Sequence, residues 1–322
     1  MNTRTTVCCV AMCVVLCDGR FPARGQDVLQ PSVPHEHAAL VVRSRPVIER
    51  LPLRVITPKD VVSSGSGRVY VADNGGKAVF RVASDGQIAL LAGDLEGLVR
   101  ISVAATGDVF ALLNSQGSGR IMHITPAGHV SEIAQTAFPA SGLASDRAGS
   151  LLTTNTRTGD VIAIDAEGTT RVLARLTQPA SDLVLDALDN PIVLLKAGKV
   201  VSVGAEGNSQ VIGYVPRFSD RLQLHPDGFV VALGTSDEDS RSSLWRLTAD
   251  PAEEDRFAAL PDGTSAFAFD GLGNLVLANP NLRAVTRVTS RFQIPCPHCA
   301  EPVTMIFSTV ATPEFSEPRR SY

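Results

Sequence analysis

Cysteine is nearly absent from the body of this chain. Of six cysteines in 322 residues, Cys8, Cys9, Cys13 and Cys17 stand at the N-terminus, and Cys296 and Cys299 are the two beyond it. Two cysteines cannot frame a disulfide-stapled fold. Basic runs are absent apart from Arg319-Arg320, and the net charge is −4. The electrostatic footprint of a nucleic-acid binder is therefore missing. Long apolar runs are also missing. Val7 to Cys17 is an apolar stretch of 11 residues, short of the roughly 20 that a bilayer-crossing helix needs. No stretch beyond it shows helical periodicity, which argues against an α-rich fold.

The first 25 residues have the three parts of an export signal. Arg4 supplies the positive start, Val7 to Cys17 the apolar centre, and Ala23-Arg24-Gly25 a small-x-small cleavage site. Cleavage there gives a mature chain from Gln26, exported to a periplasmic, cell-surface or extracellular location. Anchoring through Cys17 or by an uncleaved segment is the alternative, although Val14-Val-Leu-Cys17 lacks the small residues expected before a lipidated cysteine.

What the chain does have is a unit repeated six times. Two clear copies contain Gly67-Arg-Val-Tyr-Val-Ala-Asp-Asn74 and Gly107-Asp-Val-Phe-Ala-Leu-Leu-Asn114. Aligned on the turn after the first apolar stretch, the units mark Gly67, Gly107, Gly149, Asn190, Gly228 and Gly273, at spacings of 40, 42, 41, 38 and 45 residues. A second turn recurs at Asp85-Gly86, Ala127-Gly128, Glu167-Gly168 and Glu206-Gly207. Gly at such places supplies the positive φ of a tight reversal. Four short strands per unit of this length specify an all-β fold, a β-propeller of four-stranded blades. Each unit buries its faces against its neighbours, so the repeats form one closed domain.

The sixth unit lacks a fourth strand. Pro46-Val-Ile-Glu-Arg-Leu51 precedes the first unit and resembles the fourth strand of unit three, Arg171-Val-Leu-Ala-Arg-Leu176. It is expected to complete blade six and close the ring, which removes open sheet edges. The expected organisation is a signal peptide over 1–25, a leader over 26–45, a six-bladed propeller over 46–295, and a Cys-Pro-His-Cys motif with a loose tail over 296–322. The closed ring reads as a monomer.

Departures from the repeat are where chemistry is expected. Asp60, Asp182 and Asp220 occupy inner-strand starts that ring symmetry directs to one axial opening, with Arg100 and Arg221 at or beside equivalent positions. Three carboxylates there offer a Ca²⁺ or Mg²⁺ site, since both ions take oxygen ligands. Alternatively the arginines neutralise them, or each Asp merely caps a turn. Asn74, Asn114, Asn155 and Asn279 follow the second strands and fit either ligation or turn formation. His35, His37, His123, His129 and His225 show no pairing with Ser, Cys or Glu at a catalytic spacing. The acidic loop Thr235 to Ser242 reads as a solvated blade loop. Cys296-Pro-His-Cys299 admits three readings: a local disulfide, half of a zinc site, or a redox pair. Only 23 residues follow Cys299, too few for a thioredoxin domain after it.

Thr57-Pro-Lys-Asp-Val-Val62 followed by Gly67-Arg-Val-Tyr-Val-Ala-Asp73 resembles the NHL-repeat unit. Pro139-Ala-Ser-Gly-Leu-Ala144 and Pro179-Ala-Ser-Asp-Leu-Val184 repeat its opening phrase. The six-bladed virginiamycin B lyase and gluconolactonase/regucalcin families are similar too. A single Trp245 and no Trp-Asp dipeptide set the chain apart from WD repeats. The resemblance implies the six-bladed fold and places any chemistry at the channel mouth. The Glu-Gly-Pro opening of the gluconolactonase type is missing, and no lyase motif carries over. An exported binding or interaction module, with a protein or small-molecule ligand, is therefore the expectation. A divalent-metal-dependent lactonase or lyase built on Asp60, Asp182 and Asp220 is the alternative.

Overall fold

The computed structural model describes residues 40–42, 46–236, 241–295 and 302–307. The expected signal peptide, most of the leader, Cys296 and Cys299, and the acidic centre of the Thr235 to Ser242 loop lie outside these residues. Among the described residues there is no helix.

Six four-stranded antiparallel sheets form the ring. Their inner strands are Pro58–Ser63, Leu98–Val103, Ala140–Ser145, Ala180–Leu185, Arg221–Leu224 and Ala266–Phe269, in blades one to six. Blade six is completed by Val47–Arg50, which pairs antiparallel with Ala284–Thr289, Ile48 opposite Val288. The closing strand is thus the one expected.

Second strands run between both neighbouring blades and are largely apolar. Val69–Asp73, Leu151–Asn155, Pro191–Leu195 and Val230–Gly234 are buried at every residue, as two-sided packing requires. Fourth strands such as Ile88–Ala92 face solvent over much of their length. The core is correspondingly divided into six apolar clusters, one per blade interface. Leu98 and Ile101 join Tyr70 and Val79 between blades one and two. Ala266 and Val276 join Val61 and Val71 between blades six and one. That last cluster closes the ring.

Turn geometry explains the repeat's punctuation and corrects one assignment. Gly67, Gly107, Gly149, Gly228 and Gly273 all have φ between 75° and 89°. In blade four the left-handed residue is Asp189, at φ 64°, rather than Asn190. Asp186 caps that turn, accepting the N–H groups of Leu188 and Asn190 through its carboxylate. This local bonding lets a non-glycine residue adopt the left-handed conformation. At the outer turns a second constraint acts. A Cβ on Gly168 would lie 2.0 Å from the Ile133 carbonyl oxygen of the preceding blade.

The termini carry a feature that the repeat did not announce. Leu40–Val42 pairs in parallel with Pro302–Phe307, which pairs antiparallel with Arg291–Pro295. This three-stranded sheet draws on both the leader and the expected loose tail. The last strand of the 46–295 span therefore belongs to it rather than to a blade.

Candidate functional site

Inner strands begin at one face of the ring, and one residue near the start of each, at an equivalent register against its second strand, forms a belt around the axis. In blade order these are Asp60, Arg100, Gly142, Asp182, Arg221 and Ala266. The six-fold ring sets blade one across from blade four and blade two across from blade five. Like charges are therefore diametrically placed and opposite charges alternate. Asp60, Arg100, Asp182 and Arg221 are all buried, at 4 to 7% exposure.

The four charged members of the belt are all held by hydrogen bonds. Asp60 Oδ2 accepts the Ile101 N–H of the next blade at 2.9 Å, and Asp182 Oδ2 accepts the Leu222 N–H at 2.9 Å. The same device in blade three would clash, since a Cβ on Gly142 would sit 2.6 Å from Leu183 N. Glycine stands there instead. Arg100 Nε reaches across to Asp182 Oδ1 at 3.3 Å, and its Nη2 bonds the Asp220 carbonyl at 3.4 Å. Arg221 is anchored to the carbonyls of Ser265 and Lys59 at 3.0 and 3.3 Å. These bonds stitch blades one, two, four, five and six together at the axis.

Burial dominates the electrostatics. Removal from water pushes the carboxyl pKa of both Asp60 and Asp182 up to about 6, against the opposing pull of Arg100. Asp220 reaches solvent at its side chain yet stands within the ring of blades, and partial desolvation raises its pKa, again opposed by Arg100 and Lys59. Arg100 is thus the common cation of all three carboxyl groups.

The belt divides the channel. At the face where the inner strands begin lies an open cup of about 260 Å³, lined by Lys59, Arg100, Ser141, Thr156, Ser181, Lys196, Asp220 and Arg221 among others. On the other side lies a second cavity of about 230 Å³, whose walls include Val62, Leu143, Val184, Leu224 and Phe269. Arg100 and Arg221 border both spaces.

The five residues expected at the axis are therefore together, with one change of register. The belt position in blade five belongs to Arg221. Asp220 precedes it and lines the cup. The donor set fits a divalent cation poorly. One oxygen of Asp60 and one of Asp182 already accept a backbone N–H, and the guanidinium of Arg100 supplies the compensating charge. Among the described residues no group of three His, Cys, Asp or Glu side chains is arranged to hold a metal ion.

The other candidates have structural partners. Asn74 Nδ2 donates to the Leu98 carbonyl at 2.7 Å, and Asn114 exchanges two bonds with Ala140, so both tie one blade to the next. Asn155 and Asn279 accept backbone N–H groups within their own turns. His123 bonds Asp108 at 2.8 Å and stacks on Phe110. His225 is buried among Phe229, Phe257 and Phe269, and desolvation there depresses its pKa. Two cup residues, Lys59 and Lys196, were missed at the sequence level. Lys59 sits one place before the belt, a position that reads Lys, Val, Ser, Ser, Asp and Ser around the ring. Comparing the units at that position would have exposed it.

No protein-family model matches the chain, and no curated protein does. Solved structures do match. A virginiamycin B lyase from Staphylococcus aureus aligns at a TM-score of 0.58 and 13% identity, covering 76% of this chain and 99% of that one. A gluconolactonase from Xanthomonas campestris gives 0.53 and 12%, covering 81% and 99%. A Bacteroides thetaiotaomicron protein of unknown function gives 0.61 and 10%, covering 76% of each chain. At these identities the likeness is one of fold, and it is to the six-bladed lyase and gluconolactonase type of propeller that the repeat units resemble.

Proposed function

We propose that this protein is a binding module whose small-molecule ligand enters the cup at the channel face where the inner strands begin. One observation carries the reading. The belt of Asp60, Arg100, Asp182 and Arg221 sits on the axis, below an open cup of about 260 Å³ whose lining sets Lys59, Lys196, Ser141 and Ser181 among Val99, Ala140 and Ala180. Pockets for drug-sized ligands run from roughly 300 to 1,000 Å³, so the cup suits a smaller molecule. The belt's own groups bond one another and the blade backbones, which supports a positioning role for them rather than a reactive one. With the export segment expected over 1–25, the module would meet its ligand outside the cytoplasm.

A metal-dependent lactonase or lyase remains the second reading, favoured by the lyase and gluconolactonase among the matching structures. A thermal-melting screen of small molecules, run with and without Ca²⁺ or Mg²⁺, separates the two. Ligand binding to the native state raises the melting temperature. The binding reading expects metal-independent shifts that vanish when Ser181→Phe narrows the cup. Metal-dependent hydrolysis of a lactone, or lyase turnover, would replace it with the second reading. A screen without a single cup-dependent shift would refute it.

A further inference from the structure

We infer that the cup recognises a small multivalent oxyanion, a di- or tricarboxylate or a phosphate; this inference rests on the cup being the ligand site. The argument begins with charge. Lys59, Lys196, Arg100 and Arg221 line the cup, and Asp220 is the one acidic side chain beside them. The two guanidiniums are not equally occupied. Among the described residues Arg221 bonds only backbone carbonyls, which carry no formal charge to cancel its own. Arg100 shares its charge with Asp182.

The two lysines differ from the arginines in having no hydrogen bond or close ion pair among the described residues. Lys196 is exposed, and Lys59 is half-buried with its charge acting on Asp60 and Asp220. An ammonium is a compact donor of three hydrogen bonds and a strong partner for carboxylate or phosphate oxygens. Lys59 is the second residue of the inner strand of blade one and Lys196 follows the second strand of blade four. They approach the cup from opposite blades. A ligand able to bond both must present oxygens on two sides, which favours a multivalent anion over a monovalent one. Ser181 and Thr156 also line the cup.

The groups behind the cup add a pH dependence. Facing Arg100 and the cup are Asp60 from blade one, Asp182 from blade four and Asp220 from blade five, with Lys59 and Arg221 beside them. Protonating these carboxyl groups on acidification leaves the cations less compensated. An anion whose own charge is constant binds more tightly at pH 5 than at pH 7.5.

Calorimetric titration tests this, with citrate, inorganic phosphate, sulfate and the neutral polyol glycerol as separate arms. The full chain is used in a low-salt buffer free of other multivalent anions, since salt screens such contacts. Citrate or phosphate binds, and the stronger of the two identifies the source of the oxyanion. The Lys59→Gln and Lys196→Gln variants each weaken that binding about 10-fold, the scale of one charge-assisted hydrogen bond. Arg147→Gln, on the opposite face, leaves it unchanged. Sulfate, ionised across the range, binds better at pH 5 than at 7.5 in the wild type. Two results overturn the inference. One is anion binding indifferent to both lysines. The other is glycerol or another neutral cup ligand binding as well as the anions, which would leave the cup a ligand site of different chemistry. Loss of the cup-dependent shifts in the melting screen would instead refute the ligand site itself. Circular dichroism confirms that each variant is folded.

Discussion

Replacing Asp60 by Asn isolates the energetic effect of the axial belt. The side chain is 4% exposed and its Oδ2 accepts the Ile101 N–H. The amide oxygen of Asn can accept the same bond, so the substitution removes an ionisable group and little else. In the folded protein the carboxyl pKa lies near 6 because burial outweighs the attraction of Arg100, whereas an unfolded chain ionises near 3.8. Between those values the folded state holds the proton and the unfolded state has released it. The unfolded state then gains as pH rises, and stability falls through this window. A shift of about two pKa units corresponds to about 3 kcal/mol. Asp182 has the same sign and a similar value. Asp108, Asp186 and Asp227 have lowered pKa values and act below this window. His225 opposes it near neutrality, but does so equally in both proteins. Urea unfolding followed through Trp245 supplies the assay, since this single tryptophan is buried and bonded to the Gly234 carbonyl. The stability of Asp60→Asn relative to wild type should rise by about 2 kcal/mol between pH 4 and pH 7, the larger part of the full effect. A difference independent of pH, or one of opposite sign, would refute the claim that desolvation governs the belt.

Other consequences are simpler to read. Asp73 holds the N–H groups of Ile56 and Thr57 at 2.8 and 2.7 Å, so Asp73→Ala should lower stability by about 2 to 3 kcal/mol in denaturant titrations. Gly168→Ala forces a Cβ against the Ile133 carbonyl at φ 82°, and a loss of at least about 2 kcal/mol is expected in the same assay. Ca²⁺ or Mg²⁺ at millimolar concentration should leave the melting temperature unchanged, because Arg100 already pairs with Asp182 and one oxygen each of Asp60 and Asp182 accepts a backbone N–H; a rise of several degrees would restore the metal reading.

Much of the architecture was legible because turns impose local demands. The left-handed backbone of Gly67, Gly107, Gly149, Gly228 and Gly273 requires glycine in the sequence, and counting between glycines counts blades. Blade four escaped that count by one residue because Asp186 stabilises a turn with Asp189 in the glycine's place. The closing strand was legible because its pattern matched other fourth strands. The parallel pairing of Leu40–Val42 with Pro302–Phe307 joins segments about 260 residues apart and leaves no local trace.

The axial residues stood out as exceptions at one repeat position, so Asp60, Arg100 and Asp182 could be named. Asp220 was placed one residue too early because blade five carries an acid and a base in succession there. What the residues do to one another was not legible. Whether Arg100 answers Asp182 or leaves it to a cation depends on its reach across the axis, which no spacing encodes. The cup was missed for the same reason. Lys59 and Lys196 are 137 residues apart and become neighbours of one cavity only after the ring closes.

Crystals soaked in selenate, grown without competing anions, test the central claim most directly. The account predicts an anomalous peak in the cup, within hydrogen-bonding distance of Lys59 and Lys196 and above Arg100, that disappears in the doubly substituted Lys59→Gln, Lys196→Gln protein. Selenate bound elsewhere on the surface while the cup stays without a peak would contradict it.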